Sequence, residues 1–249
     1  LLREALPEFA GWEVGRAEAA LVVLFEDDDP RRVEEKLDTV TLRLLRRGVL
    51  VSEPITTLRR SECERMLALR RRIMPFLLRN TRGAQPVPLI EDVAVPPESL
   101  PLFLHRLQTI LRDRGLSWTL YAHAAAGQLH PRPFLDLSQE VDRGLIEDLA
   151  TQVYEAVWEL RGTISGEHGC GLVRSQFLRR QHADLFPIFR EVKAAFDPWN
   201  LLNPGKVVCD DPHQMTRDLR TYPRPFQSTS DSIHEPSGRG QAPLSSIAR

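Results

Sequence analysis

The sequence predicts an α+β fold: a ferredoxin-like antiparallel sheet with helices on one face, followed by a C-terminal helical segment. Two observations lead to this prediction. Stretches rich in β-forming residues alternate with amphipathic helical stretches along most of the chain, and one pair of β-rich stretches is joined by a short turn at Gly127. Strand–helix units combined with a hairpin are typical of an antiparallel sheet covered by helices on a single face.

The first part of the chain predicts two strand–helix units. A β-rich stretch at 18–27 is followed by a helical stretch at 29–48, which opens with Asp-Pro as a cap and first turn and ends with glycine. A second β-rich stretch at 49–58 precedes a helix over 60–78, where apolar residues recur at helical spacing.

The second part predicts a third strand, a helix, a hairpin and two more helices. The strand covers 87–96 and the helix 96–115, and the hairpin covers 116–137. A long helix at 139–162 leads into a glycine-rich stretch, and a last helix covers roughly 172–196.

We expect residues 18–210 to form one domain, after a partial N-terminal lead-in at 1–17. From 211 to 249 Ser, Pro, Gly and Arg dominate, so this part cannot bury enough surface to offset chain entropy, and we expect a disordered tail. Because the chain begins without Met, we also expect it to belong to a longer polypeptide, as an excised domain or a separately encoded fragment.

Net charge, hydropathy and cysteine content limit the partners and the cellular compartment that can be expected for this protein. The net charge of -1 produces no field that would recruit nucleic acid, and the apolar run at 19–25 is too short to span a bilayer. Cys63, Cys170 and Cys209 show no CxxC spacing, which favours a reducing compartment and argues against a disulfide scaffold or a cysteine zinc site. We therefore expect a cytoplasmic protein, free or peripheral at the inner face of the membrane.

Histidine and glutamate concentrate in two stretches. Glu167 and His168 lie in GTISGEHGCG, while His123 and His130 lie in YAHAAAGQLHP. If the strand folds back near Gly127, both imidazoles can converge with Glu167 on a divalent metal that keeps open positions, and His168 can act as a base. Two other interpretations stay open: strand histidines are often ordinary surface or core residues, and the glycines can serve only as turn residues.

The motifs GTISGEHGCGLVRSQFL and IFREVKAAFDPWNLLNPGKVV resemble the C-terminal signature of FAD-linked oxidases of the vanillyl-alcohol-oxidase superfamily. This group includes D-lactate dehydrogenase, the glycolate oxidase flavin subunit and D-2-hydroxyglutarate dehydrogenase. YAHAAAGQLHP is similar to the family's GHxGDGNLHP segment, and IEDVAVPPESLPLF to its strand-Pro-helix segment. The resemblance covers about 20–210, and DDPHQMTRDLR is similar to large members that continue into an iron–sulfur domain.

The resemblance implies roles for individual residues. The family's metal ligands, for zinc or manganese, fall on His123, His130 and Glu167, and its catalytic base falls on His168. The arginine that binds the substrate carboxylate in hydroxy-acid members matches Arg70. The family's NPGK turn, which lies close to the flavin, matches Asn203, Pro204, Gly205 and Lys206.

Three positions depart from the family pattern. Its Gly-Asp-Gly-Asn turn is replaced by Ala125, Ala126, Gly127 and Gln128, so the acid that could support the histidines is missing. The lysine of D-2-hydroxyglutarate dehydrogenases is replaced by Leu89 or Ile90. Arg132 stands where those enzymes carry a neutral residue, and it either binds a substrate carboxylate in bidentate fashion or is a solvated strand-end arginine.

The resemblance implies the substrate domain of an FAD-dependent dehydrogenase, which oxidises the C2 alcohol of a 2-hydroxy acid by hydride transfer to FAD. We expect the FAD-binding domain and the iron–sulfur domain to be partners outside this chain. We also expect an apolar docking face, which could lead to self-association. The alternatives are a stand-alone metal-dependent hydrolase and a non-catalytic remnant or interaction module.

Overall fold

The computed structural model describes residues 19–50, 52–80 and 83–219. In this part of the chain the helices are α1 (Pro30–Arg47), α2 (Arg60–Asn80), α3 (Leu100–Asp113), α4 (Glu140–Gly144), α5 (Ile146–Glu159), α6 (Gly171–Gln181), α7 (Phe186–Phe196) and α8 (Gln214–Arg217). The strands are β1 (Gln85–Pro86), β2 (Val93–Ala94), β3 (Trp118–His123) and β4 (Gln128–Leu135). None of the described helices is both long and apolar enough to cross a membrane.

Strand β4 lies at the centre of the sheet. On one side it pairs antiparallel with β3, in a register that places His123 opposite Gln128. On the other side it pairs antiparallel with β1 and β2, and a single bridge joins Ala94 of β2 to Thr163. From β2 onward the chain runs strand, helix, strand, strand, helix, bridge, which is the β-α-β-β-α-β order of ferredoxin-like folds. The predicted α+β class is confirmed.

The hydrophobic core lies on one face of this sheet. Leu129 and Leu135 of β4 and Val93 of β2 are buried there against α3 and α5, which also contact each other. The two helices contribute apolar side chains at helical spacing: Phe103, Leu107, Leu111, Leu149, Val153 and Val157. Burying each such side chain contributes about 1.5–3 kcal/mol. Because side chains alternate along a strand, the residues between the core positions of β4 point to the opposite face.

Two of the predicted local signals are confirmed at residue level. Helix α1 begins at Pro30, and the Asp29 carboxylate accepts a hydrogen bond of 3.0 Å from the Arg31 amide. It ends before Gly48, whose φ of 63° lies in the left-handed region that favours glycine. The hairpin is confirmed as well, because β3 and β4 flank a short 3-10 turn and Gly127.

The first two predicted strands, at 18–27 and 49–58, are wrong for their described residues. Residues 19–27 run without strand pairing and leave Leu21 and Leu24 exposed. The described part of 49–58 likewise contains no strand. β-Propensity reflects how well a side chain fits a paired, half-buried surface, and in the described part of the chain neither segment has a partner strand.

Two other elements are shorter than predicted. The strand expected over 87–96 is reduced to β2, because Pro88 offers no backbone N–H and Asp92 has a φ of 70° that departs from strand geometry. The helix expected over 172–196 is divided into α6 and α7, and Pro187 lies in the first turn of α7, where its missing N–H is tolerated.

Ordered structure extends past the predicted domain boundary at 210. Helix α8 buries Gln214 and Met215, and the Met215 amide donates a 2.7 Å hydrogen bond to the side chain of Gln176 in α6. The start of the predicted tail is therefore part of the folded domain. Residues 220–249, like the lead-in at 1–17, lie outside the described residues.

Replacing Gly127 by alanine is expected to destabilise the hairpin strongly. An added Cβ would lie 1.9 Å from the Val95 carbonyl oxygen, and the φ of +67° disfavours any L side chain. Gly115→Ala is the matched control, since Gly115 has a φ of +64° but nothing within 4 Å of the added Cβ. We expect the control to lower the free energy of unfolding by about 1–2 kcal/mol and Gly127→Ala by roughly 1–3 kcal/mol more. Urea unfolding measures the free energy of both variants. Equal losses of stability would contradict the close approach of Gly127 to the Val95 carbonyl.

Candidate active site

The hairpin brings two histidines together on the sheet face opposite the core. His123 lies opposite Gln128, and His130 lies opposite Tyr121, so these four side chains share one face and the two imidazoles are diagonal neighbours. Their ring centroids are 5.5 Å apart in an edge-to-face arrangement. The chain therefore folds back near Gly127, as the convergence of the two histidines required.

The glycine-rich stretch adds Glu167 and His168 to the same face. It follows the bridge at the sheet edge, where the Gly166 amide donates a 2.8 Å hydrogen bond to the Asp92 carbonyl. The Glu167 Oε1 atom lies 3.7 Å from His123 Nε2, 3.3 Å from His130 Nε2 and 3.4 Å from His168 Nε2. One carboxylate oxygen therefore faces three imidazole nitrogens.

The distances from Glu167 Oε1 to the three nitrogens fit neighbouring ligands of a divalent metal. Ligand atoms about 2.1 Å from a tetrahedral zinc lie roughly 3.4 Å from each other. The His130 Nε2 atom is buried and has no hydrogen-bond partner, which is unusual for a buried polar atom. Burial lowers the pKa of His130, although nearby carboxylates, Glu91 first, act in the opposite direction. A neutral imidazole with an unused lone pair is the form that binds metal.

A second ligand set overlaps the predicted one. Ligand atoms of Asp92, His130, Glu167 and His168 all lie within 4.8 Å of one another, in a group that does not include His123. We favour the predicted set with His123, because the Asp92 carboxylate is already engaged by hydrogen bonds from its surroundings. The assignment of His123, His130 and Glu167 as metal ligands stays a prediction.

Asp92 organises the loop that carries Glu167 and His168. Its carboxylate is fully buried and accepts hydrogen bonds from the Glu167 amide at 2.9 Å, the His168 amide at 3.0 Å, Ser165 Oγ at 2.8 Å and Gln128 Nε2 at 2.9 Å. Burial by itself would raise the pKa of Asp92, but these four hydrogen bonds outweigh it and hold the pKa below its usual range. Arg174 adds a positive charge 3.6 Å away.

Arg132 is engaged within the chain. Its Nε and one terminal nitrogen lie 2.7 and 2.6 Å from Glu91 Oε2, and its side chain is mostly buried. In the structure Arg132 is therefore not a solvated arginine at a strand end. The guanidinium does hold a carboxylate, but that carboxylate belongs to Glu91, with which a substrate would have to compete.

The remaining predicted residues lie on two other elements. Arg70 is in helix α2, and its side chain is outside what the structure describes. The turn of Asn203, Pro204, Gly205 and Lys206 is closed by a 2.8 Å hydrogen bond from Lys206 Nζ to Asn203 Oδ1. The next residue, Val207, donates a 2.7 Å hydrogen bond to Ser175 Oγ in α6, the helix that directly follows the Glu167–His168 loop.

Sequence reasoning missed Glu91, Asp92 and Arg174. A signal for the two acids was available, because they are adjacent within the apolar stretch LIEDVAV. Charged residues in such a stretch are almost never buried unless they are paired, so a partner for each acid could have been expected. A second signal lies in β4, where Gln128, His130 and Arg132 alternate with apolar residues and so define one polar face. Arg174 carried no such signal, because it sits in a helix among other polar residues.

Replacing Asp92 by asparagine is expected to unfold the loop around Glu167 and lower the free energy of unfolding by about 3–5 kcal/mol. The new amide group would face N–H donors, and Arg174 would lose its counter-charge. Asp148→Asn is the matched control: Asp148 lies 2.5 Å from Arg114 but is 58% exposed, so we expect a loss below about 1 kcal/mol. Chemical denaturation would measure both, and similar losses would argue against Asp92 as the organiser.

Comparison with known proteins agrees with these motifs. The family model described as FAD linked oxidases, C-terminal domain, matches residues 4–207. D-2-hydroxyglutarate dehydrogenase of Escherichia coli (strain K12) is 33% identical over 193 residues, which is 75% of this chain and 19% of the relative. The Pseudomonas putida protein of the same name is 39% identical over 132 residues, 53% of this chain and 13% of its own length. Glycolate oxidase subunit GlcD of Bacillus subtilis (strain 168) is 29% identical over 195 residues, 78% of this chain and 40% of its own length.

The chain thus spans less than half the length of each of these relatives. The family match nevertheless covers most of the chain, including the hairpin, the Glu167–His168 loop and the Asn203–Lys206 turn. This chain belongs to the family of FAD-linked oxidase C-terminal domains.

Proposed function

We propose that this chain is the substrate domain of a flavin-dependent dehydrogenase that oxidises the C2 alcohol of a 2-hydroxy acid. The observation that carries the proposal is the convergence of three imidazoles on one Glu167 oxygen, on the exposed face of a domain of this family. The relatives' names supply the substrate class. D-2-hydroxyglutarate and glycolate both carry a hydroxyl on the carbon next to a carboxylate.

His123, His130 and Glu167 are the residues we propose to hold a divalent metal, zinc or manganese. His130 is mostly buried and supplies an unsatisfied nitrogen, while Glu167 is 44% exposed and leaves the site accessible to a substrate. When bound, the metal would supply Lewis-acid polarisation of the C2 hydroxyl, and the flavin would supply the hydride acceptor.

His168 is the proposed base. Its Nε2 atom lies 3.4 Å from Glu167 Oε1, and 42% of its side chain is exposed, so it reaches both the ligand cluster and the open side of the site. From this position His168 Nε2 can accept the proton of a substrate hydroxyl held beside Glu167. We assign the substrate carboxylate to Arg70, which matches the family's carboxylate-binding arginine. Arg132 is already paired with Glu91.

A flavin-binding domain is the proposed partner on the side of the Asn203–Lys206 turn. The segment that leads into this turn exposes four large apolar side chains: Phe196, Trp199, Leu201 and Leu202. Asp197 fixes the segment by accepting hydrogen bonds of 2.9 and 2.8 Å from the amides of Leu201 and Leu202. Such a surface favours association, either with a flavin domain or with another copy of the chain. An iron–sulfur domain is a further proposed partner, on the resemblance of residues 210–220.

Loss of His130 is expected to abolish metal binding. We expect the purified chain to contain less than one equivalent of zinc or manganese, and His130→Ala to contain none, because its nitrogen is the buried one that nothing else satisfies. His213→Ala is the matched control, since His213 Nδ1 also faces a glutamate, at 2.8 Å from Glu147 Oε2, but outside the cluster. Elemental analysis and equilibrium dialysis measure the metal.

Equal metal content in His130→Ala and His213→Ala would contradict the site. Tight stoichiometric binding by the chain without a flavin domain would instead favour a stand-alone metal-dependent hydrolase.

Activity is expected only when the chain is combined with a flavin-binding domain. D-lactate, glycolate or D-2-hydroxyglutarate should then bleach the flavin absorbance, with turnover followed by an artificial electron acceptor. His168→Ala should lower turnover by roughly 10²–10⁴-fold, the usual contribution of a positioned base. Unchanged turnover would remove His168 from the mechanism, and stoichiometric FAD on this chain alone would contradict the division between domains.

A further inference from the structure

Glu91 lies between Arg132 and His168, and its two carboxylate oxygens face different partners. The Oε2 atom receives two nitrogens of Arg132, at 2.7 and 2.6 Å. The Oε1 atom lies 3.6 Å from Nδ1 of His168. Only 11% of the Glu91 side chain is exposed, so this carboxylate is buried in the site with one cation and one imidazole.

We propose that Glu91 is a positioning residue for His168 and that Arg132 acts by fixing Glu91. In this arrangement the carboxylate holds the proton of His168 on Nδ1, so that Nε2 keeps its lone pair toward Glu167 and the open side of the site. The inference rests on the proposed function only in giving His168 the role of base.

The geometry of the His168 ring supports this role. An acid that accepts a hydrogen bond from one ring nitrogen fixes the tautomer and the orientation of the other nitrogen. The distance of 3.6 Å exceeds a hydrogen bond, but such bonds are often long without substrate and shorten when the site is filled. The ring is restrained in two other ways: it stacks on His130 with centroids 5.1 Å apart, and the His168 amide is held by Asp92.

The backbone explains how Glu91 reaches this position. In a regular strand the neighbours Glu91 and Asp92 would point to opposite faces. Asp92 has a φ of 70°, which interrupts the alternation, and both acids contact the site. The Glu91 carbonyl also accepts a 2.8 Å hydrogen bond from Arg174, so the backbone is anchored where the side chain turns inward.

The position of Arg132 follows from the register of β4. Arg132 lies two residues beyond His130 and therefore on the same face, with its guanidinium directed to Glu91. Both nitrogens contact Oε2, which leaves Oε1 as the oxygen that faces His168. A positive charge at this point also offsets the cost of burying the carboxylate.

The test is the tautomer of His168 in the whole chain, with zinc added in excess because the chain alone is expected to bind it weakly. Long-range proton–nitrogen NMR spectra of histidine-labelled protein, recorded at one mildly alkaline pH, distinguish a proton on Nδ1 from a proton on Nε2. We expect the Nδ1–H form in the natural sequence and a shift toward Nε2–H in Glu91→Ala, with a smaller shift in Arg132→Ala. Glu147→Ala is the matched control, because Glu147 faces His213 and should leave His168 unchanged.

Glu91→Gln covers the case in which Glu91→Ala does not fold, since it keeps the shape and one acceptor oxygen. We expect it to give a partial shift of tautomer with zinc affinity unchanged. In the flavin-containing protein it should lower kcat by roughly 10–100-fold, the usual effect of removing an orienting partner. KM should change little, and the substitution should have no further effect in a His168→Ala background, because Glu91 acts through His168.

An unchanged His168 tautomer in the Glu91 variants would overturn the proposal, as would loss of zinc binding, which would make Glu91 a metal ligand. A tautomer shift in a flavin-containing protein that oxidises no hydroxy acid would leave the Glu91–His168 contact supported and contradict the proposed function instead.

Discussion

The site depends on the buried carboxylate of Asp92. Burying a charged group away from water is costly unless hydrogen bonds replace those lost to water, and here four donors from two other segments of the chain do so. Two of them are the backbone amides of Glu167 and His168. The electrostatic requirement of this one acid therefore fixes the backbone from which the Glu167 and His168 side chains project. It also joins the strand, the hairpin and the glycine-rich loop into one unit.

The hairpin turn itself carries no acid, but it lies close to Asp92. Where the family pattern places an aspartate in the turn, this chain has Ala126, and the neighbouring Gln128 donates its amide to Asp92. The buried negative charge beside the turn therefore belongs to Asp92, which directly precedes β2. The acid nearest to the turn is thus held by a tertiary contact and not by the turn sequence.

Helix caps and turns were predictable from the sequence, whereas the pairing of strands was not. The cap at Asp29, the end at Gly48 and the turn at Gly127 depend on residues close in the chain, and the structure confirms each of them. The strands expected at 18–27 and 49–58 needed partners that no local pattern specifies. The same reasoning applies to the site. The convergence of His123 and His130 could be inferred from one hairpin, whereas the contact of Arg132 with Glu91 joins residues 41 positions apart.

The hairpin register constrains how this sequence can vary in length. His123 pairs with Gln128, and His130 lies two residues beyond Gln128. The two histidines share a face only because this offset is even. Deleting or adding one residue in the turn would send one histidine into the layer occupied by Leu129 and Leu135, where an imidazole would displace packed aliphatic groups. Substitution of the three alanines in the turn should therefore be tolerated more easily than a change in their number. Insertions and deletions should be excluded from this segment.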